Sequence, residues 1–179
     1  MRRLLGPGDP VKLIGLTQRV EVVPGYGERR DCLDQRWAGL MLSMGYCPVP
    51  LTNDVPDVEL YLATLDLDGV ILTGGNDLCE IQAGSDLAPE RDRFEHGLLD
   101  FCAARDLPVL GVCRGLQLMN VHYSGKLDSL IGHINHDHRV ALDPGGFPGK
   151  GESILVNSYH QFGIVEGGCS RELTPLAWA

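Results

Sequence analysis

Pro108-Val109-Leu110-Gly111-Val112-Cys113-Arg114-Gly115-Leu116-Gln117-Leu118-Met119-Asn120 is the stretch on which the fold of this chain turns. An apolar run broken only by Gly111 predicts a short buried strand, and Leu116, Met119 and Tyr123 then recur at helical spacing. Cys113 stands at the corner between them, with a glycine two residues to either side. A nucleophile on a strand-to-helix turn adopts a strained backbone and needs small neighbours. At a helix N-terminus the partial positive charge favours thiolate over thiol. The backbone N–H of Arg114 is placed to help hold an oxyanion. A buried structural cysteine also commonly follows an apolar strand, but it does not call for glycine on both sides.

Outward from this turn, the rest of the chain predicts strands alternating with helices. Residues 11–17 read as a first strand and 18–27 as a loop. Residues 28–44 read as a helix with Leu33, Trp37, Leu40, Met41 and Met44 on one face, closed by Gly45. Residues 46–51 form an edge-like strand because of Pro48 and Pro50. Val58, Leu62 and Leu65 mark a short helix, and residues 69–73 a strand buried on both faces that runs into Gly74-Gly75-Asn76-Asp77. Pro89 opens a long helix with Phe94, Leu98, Phe101 and Cys102 on its apolar face. The acidic residues beside Arg91 in its first turns, Asp92 and Glu95, suit the helix dipole.

The alternation predicts a doubly wound parallel α/β sheet in a three-layer α/β/α arrangement. Such sheets place sites at the C-terminal ends of their strands, where Gly74-Gly75 and Cys113 both fall. After Gly125, short strands are expected at 127–131, 139–142, 154–156 and 173–178, with a turn-rich connector at 144–149. Residues 1–10 are expected to be a disordered leader and 11–179 a single domain.

The chain has 179 residues, enough for one domain with a real core, and 44% of them are hydrophobic. Fifteen basic against 24 acidic residues give a formal charge of −9, which disfavours nucleic acid and anionic membrane partners. No apolar run approaches a membrane span. Six cysteines without Cys-x-x-Cys spacing read as reduced thiols, an expectation that points to the cytoplasm.

Gly-Val-Cys-Arg-Gly-Leu-Gln at 111–117, Leu-Thr-Gly-Gly-Asn-Asp at 72–77 and Val-Asn-Ser-Tyr-His-Gln at 156–161 together resemble the class I glutamine amidotransferase-like family. Within it the likeness is to the gamma-glutamyl hydrolase branch. The resemblance implies a flavodoxin-like fold and Cys-dependent hydrolysis of a gamma-glutamyl amide with release of glutamate. Cys113 is then the nucleophile, with Gly75 and Arg114 donating backbone N–H groups to the oxyanion. Gly74, Asn76, Gln117, Asn157, Ser158, Tyr159 and His160 fall on the substrate side.

In that family the base and its carboxylate partner come from a later His-Pro-Glu motif on two further strands. No His-x-Glu follows residue 161 here, so the expectation is a chain incomplete at its C-terminus and inactive as it stands. Two alternatives remain: a glutaminase subunit passing ammonia to a synthetase, and a catalytically dead binding or regulatory domain. A homodimer and a synthetase complex are both open as partner arrangements.

Scattered residues give a narrower resemblance. Thr17-Gln18-Arg19-Val20, the stretch from Tyr26 to Trp37, and Gly132-His133-Ile134-Asn135-His136-Asp137-His138 are similar to the branch acting in bacterial capsule phosphoramidate synthesis. That branch hydrolyses gamma-glutamyl-CDP-amidate, and Arg19, Arg29 and Arg30 are then candidates to meet a diphosphate. His133, His136 and His138 also have a spacing open to zinc. A thiolate nucleophile needs no metal or other cofactor, so these histidines are read as a pocket-lining or solvated loop.

Overall fold

The computed structural model describes residues 11–81, 86–130, 133–143, 145 and 153–179. The expected leader and nearly all of the 144–149 connector lie outside them. Two compact units divide the chain, one up to Met119 and one from Asn120 to Ala179.

The first unit is built on a parallel sheet. Its strands are β1 (Lys12–Leu16), β4 (Tyr46–Pro50), β5 (Gly69–Leu72) and β6 (Val109–Gly111), and its helices are α1 (Arg36–Ser43), α2 (Val58–Ala63), α3 (Pro89–Ala104) and the part of α4 (Arg114–His122) up to Met119. Spatial order in the sheet is β4-β1-β5-β6, with Gly15 opposite Val49 and Val70, and Ile71 opposite Leu110. Counted among sheet strands alone, this is the 2-1-3-4 order of flavodoxin-like folds. Helices flank the sheet in a three-layer α/β/α arrangement.

On the α1 side, Leu16, Met41 and Ile71 form a buried cluster with Ile14, Leu33, Trp37 and Tyr46 packed against it. On α3, Phe94, Leu98, Phe101 and Cys102 are buried as their spacing predicts. Val58 of α2 stands close enough to Gly97 that a Cβ there would meet its Cγ1 at 3.2 Å. Each large apolar side chain fully buried in this way contributes about 1.5–3 kcal/mol. Pro89 occupies the start of α3, where its missing N–H costs nothing.

Three expectations change here. The 18–44 stretch is not a loop and a long helix. An antiparallel hairpin of β2 (Arg19–Val22) and β3 (Arg29–Cys32) precedes a helix only eight residues long. Residues 28–31 carry no apolar side chain for a helix face, whereas Asp31 anchors an extended strand. Its carboxylate accepts from Thr52 Oγ1 at 2.9 Å, and from the Asn53 N–H at 3.0 Å and Nδ2 at 2.6 Å. Leu40 and Met44, expected on the buried face of that helix, are exposed. Second, β6 is not buried. Among the described strands it is a sheet edge, and Leu110 is 56% exposed. Third, Arg91, Asp92 and Glu95 do not decorate the solvated start of α3 but lie inside the protein.

The second unit holds β7 (Asp128–Ser129), β8 (Ile134–Leu142), β9 (Ser153–Tyr159), β10 (Phe162–Gly163) and β11 (Ala177–Trp178). Antiparallel β8 and β9 pair with a bulge between Ile134 and His136, β11 adds to β8, and β7 pairs with β10. Two strands run longer than expected, since β8 begins five residues before 139 and β9 continues past 156. The 173–178 strand shrinks to two residues. Buried Asn120 is the hub of this unit. Its Nδ2 donates to the carbonyls of Lys126 and Gly168, both at 3.0 Å, and its Oδ1 accepts from the Ser170 N–H at 2.8 Å.

Candidate active site

The switch point of a sheet in this order lies between β1 and β5. There the two strands exchange polar contacts at their C-terminal ends. The Thr73 N–H donates to Thr17 Oγ1 at 3.0 Å, and Thr73 Oγ1 donates to the Thr17 carbonyl at 2.8 Å, both buried. One strand over, the Val112 N–H donates to the Leu72 carbonyl at 2.9 Å, which ties the segment after β6 to β5. Cys113 follows immediately, exposed, at φ +54. A left-handed backbone is costly for any residue with a Cβ and marks a position held by its surroundings.

Those surroundings explain both glycines. A Cβ on Gly111 would meet the Leu116 backbone nitrogen and Met119 Sδ, each at 2.7 Å. A Cβ on Gly115 would run into the Leu72 carbonyl oxygen and stand 2.6 Å from Leu72 Cβ. The first turn of α4 is thus pressed against the end of β5. The carbonyl of Cys113 accepts from the N–H groups of Leu116 at 3.0 Å and Gln117 at 3.2 Å, so Cys113 is the residue from which the helix starts. Gln117 is half-buried one turn along it.

The loop after β5 comes up to the same cysteine. A Cβ on Gly74 would lie 3.6 Å from Cys113 Cβ and 4.0 Å from its Sγ. Gly75 (φ +86) and Asn76 (φ +59) are both left-handed. The side chain of Arg19 covers Gly75, where a Cβ would meet its Cβ and Cδ at 3.2 Å. Asn76 uses its amide on β2: Oδ1 accepts from the Val20 N–H at 2.8 Å and Nδ2 donates to the Val20 carbonyl at 2.9 Å.

Beneath the loop lies a group of four buried charges. Arg91 donates to the carbonyls of Thr73 at 2.8 Å, Gly74 at 3.2 Å and Gly75 at 2.5 Å, and its Nε pairs with Glu95 Oε1 at 2.9 Å. Arg114, the residue after Cys113, pairs with Glu95 Oε2 and with Asp92 Oδ1. Asp92 Oδ2 accepts from the Cys79 N–H at 2.9 Å. Burial alone would raise the Glu95 pKa, but Arg114 and Arg91 outweigh it and hold the carboxyl below its ordinary value. Burial lowers Arg91 in turn. Charges this deep are tolerated only when paired and hydrogen-bonded.

The other cysteines differ in setting from Cys113. Burial, with Asp92 alongside, pushes the Cys79 thiol up to about 11, and burial does the same to Cys102.

Asn157, Ser158, Tyr159 and His160 lie in the second unit, and β9 alternates the first three by its two-residue period. Asn157 and Tyr159 are exposed, while Ser158 is buried with its Oγ 3.4 Å from His133 Nδ1. His160 is half-buried, its Nδ1 2.8 Å from the Phe162 carbonyl. The rings of His138 and His160 lie 4.7 and 5.3 Å from that of His133. Burial, then these imidazoles, lowers the His133 pKa. No group of three or more metal-ligating side chains among the described residues is arranged to hold a metal ion.

The three arginines offered for a diphosphate each already face a carboxylate: Arg19 with Glu21 at 2.7 Å, Arg29 with Glu90 at 2.5 Å and Arg30 with Glu28 at 2.6 Å. A cleft of about 520 Å³ beside the hairpin is lined by Arg29, Asp31, Thr52, Glu90 and Arg93 among others, and Cys113 is not one of its walls.

The sequence reading gives Arg91, Asp92 and Glu95 only a helix-start role, and their burial corrects it. The signal was present, because positions 91 and 95 fall on the stripe of Phe94, Leu98 and Cys102, and a charge on an apolar stripe is a buried charge. No described helix is long and apolar enough to cross a membrane.

Comparison with known proteins gives a consistent result. The family model Peptidase C26 matches residues 12–179. The gamma-glutamyl-CDP-amidate hydrolase of Campylobacter jejuni is 31% identical over 158 residues, which cover 87% of this chain and 73% of that protein. A glutamine-hydrolyzing GMP synthase subunit of Natronomonas pharaonis is 34% identical over 111 residues, 61% of this chain and 46% of that one. In fold, the chain is similar to a glutamine amidotransferase from Thermotoga maritima, with a TM-score of 0.66 at 13% identity over 94% of this chain and 67% of the other.

Proposed function

The chain belongs to the peptidase C26 family, within the class I glutamine amidotransferase-like group, and on that premise we propose that it cleaves a gamma-glutamyl amide through Cys113. The observation that carries this is the exposed, left-handed cysteine at the start of α4, with the Gly74-Gly75 loop against it. The turn is a nucleophile elbow in this reading. The Cys113 sulfur bonds to the gamma-carbonyl carbon, and the carbonyl π pair moves to oxygen. The N–H groups of Gly75 and Arg114 hold that oxyanion. Its collapse expels the amine, which takes up a proton, and leaves a gamma-glutamyl thioester. Water then cleaves the thioester and releases glutamate. Proton transfer to the amine and from the water is general acid–base work, worth about a hundred- to ten-thousand-fold. The family resemblance assigns it to a His-Pro-Glu motif that these 179 residues do not contain, so acylation of Cys113 is the step these residues supply.

The finer substrate we propose is gamma-glutamyl-CDP-amidate. It is supported by the likeness to the Campylobacter jejuni hydrolase and by the two arginines, Arg29 and Arg93, on the wall of the hairpin cleft. A diphosphate there would exchange Glu90 for phosphate oxygens on Arg29. Glutamine is the competing substrate, supported by the likeness to a glutamine-hydrolyzing GMP synthase subunit.

The test uses gamma-glutamyl p-nitrophenyl ester, whose leaving group needs no proton. A gamma-glutamyl adduct found on Cys113 by peptide mass spectrometry, and missing in Cys113→Ala, supports the chemistry. Acylation spread over Cys32, Cys47 and Cys169 instead refutes it. Adding gamma-glutamyl-CDP-amidate or glutamine as competitor then separates the two substrates by which one protects the thiol.

A further inference from the structure

We infer that Arg91 and Glu95 are positioning residues that hold both donors of the oxyanion site from beneath. This rests on the assignment of Gly75 and Arg114 as those donors. Arg91 grips three successive carbonyls, those of Thr73, Gly74 and Gly75, with one buried guanidinium. A trans peptide is planar, with its C=O and N–H pointing in opposite directions, and none of the described peptides is cis. Each carbonyl turned down onto Arg91 therefore turns the next N–H away from it. Fixing the Gly74 carbonyl aims the Gly75 N–H, and fixing the Gly75 carbonyl aims that of Asn76. Two consecutive left-handed residues carry that arrangement, Gly75 without steric penalty and Asn76 at a backbone cost.

Glu95 links this grip to the other donor. One of its oxygens holds Arg91 and the other holds Arg114, whose own backbone N–H follows Cys113. Asp92 takes the second end of Arg114. Thr17, at the end of β1, accepts from the Thr73 N–H with its Oγ1 at 3.0 Å and so fastens the start of this loop to the switch point of the sheet. The loop after β5 and the turn after β6 are thereby set against each other by side chains that touch no substrate. Preorganised donors of this kind act because they need not reorganise when charge develops.

The distinguishing measurement is a ratio of two rates at the same sulfur. Acylation of Cys113 by gamma-glutamyl p-nitrophenyl ester passes through an oxyanion, whereas alkylation by iodoacetamide is a displacement at carbon and does not. Arg91→Lys keeps a charge but cannot span three carbonyls. It is expected to slow acylation about a hundredfold, the loss typical of a misplaced oxyanion donor, with alkylation held within about twofold. Glu95→Gln keeps the shape and removes the bridge's charge, and acylation should fall at least tenfold with alkylation again unchanged. Wild-type Cys113 that is not selectively acylated refutes the proposed function, not this inference. Selective acylation in wild type with an unchanged ratio in both variants overturns the inference. So does an equal fall in both rates, or loss of the folded far-UV circular dichroism in both variants, since the network would then serve the fold alone.

Discussion

Replacing Cys113 by glycine should make the protein more stable than replacing it by alanine. Both substitutions remove an exposed thiol, so the contrast isolates the backbone at φ +54. Holding a residue with a Cβ in the left-handed region costs about 1–2 kcal/mol. Glycine avoids that strain but loses about 0.5–1 kcal/mol through the greater freedom of its unfolded chain. The midpoints of these ranges leave Cys113→Gly ahead of Cys113→Ala by about 0.75 kcal/mol. At this chain length that is a melting temperature higher by roughly 1–4 °C. Urea unfolding followed by the fluorescence of Trp37, packed against the α1 cluster, in a Trp178→Phe background reads the unit that contains the turn. A Cys113→Val variant adds β-branching at the same φ and should be the least stable of the three. If glycine is equal to or below alanine, the turn is not strained and the argument for an imposed nucleophile geometry fails.

Other outcomes follow from the same contacts. Iodoacetamide near neutral pH should label Cys113 first and Cys79 and Cys102 last, because burial lifts the latter two thiols to about 11; peptide mapping after limited reaction gives the order. Gly115→Ala should destabilise by about 1–3 kcal/mol, the range for overpacking, since its Cβ meets Leu72. Gly74→Ala, with only an ordinary contact to Cys113, should stay within about 0.5 kcal/mol of wild type in the same urea assay. Glu95 has a carboxyl held below its ordinary 4.5 in the folded state. Its contribution is therefore complete above that value and lost as the pH falls through the lower folded one. Wild type should lose stability below about pH 4.5 more steeply than Glu95→Gln, measured by melting temperature against pH.

What the sequence disclosed and what it concealed divide along the reach of the interactions. Gly111 and Gly115 were legible because a tight turn imposes its demand within a few residues. Pro89 was legible because a helix start needs no distant partner, and β5 because an apolar run of that length buried on both faces admits few other readings. The β2–β3 hairpin was hidden. Its polar second strand is held by Asp31 reaching Thr52 and Asn53, some 21–22 positions away, and a helical stripe beginning at Leu33 invited extension backwards. The run at 157–160 read as one wall, yet β9 puts Ser158 inside and its neighbours Asn157 and Tyr159 outside. The buried charges of α3 were hidden for a similar reason. An acidic helix start has a sufficient local explanation in the dipole, and only the carbonyls of residues 73–75 and the guanidinium of Arg114 reveal the second one.

The four charges beneath the loop also constrain how this sequence is able to change. Two arginines and two carboxylates balance in the protein interior, so removing any one strands an opposite charge there, a loss of about 3–5 kcal/mol for a buried pair. Their effects must therefore be strongly epistatic. In a saturating library, single substitutions at Arg91, Asp92, Glu95 and Arg114 should be depleted together. A combined replacement of all four by apolar side chains of matching volume could restore a stable interior. It would leave three carbonyls with nothing to hold them, so a lineage that crossed that valley would arrive at a sound scaffold with a slack loop over its cysteine.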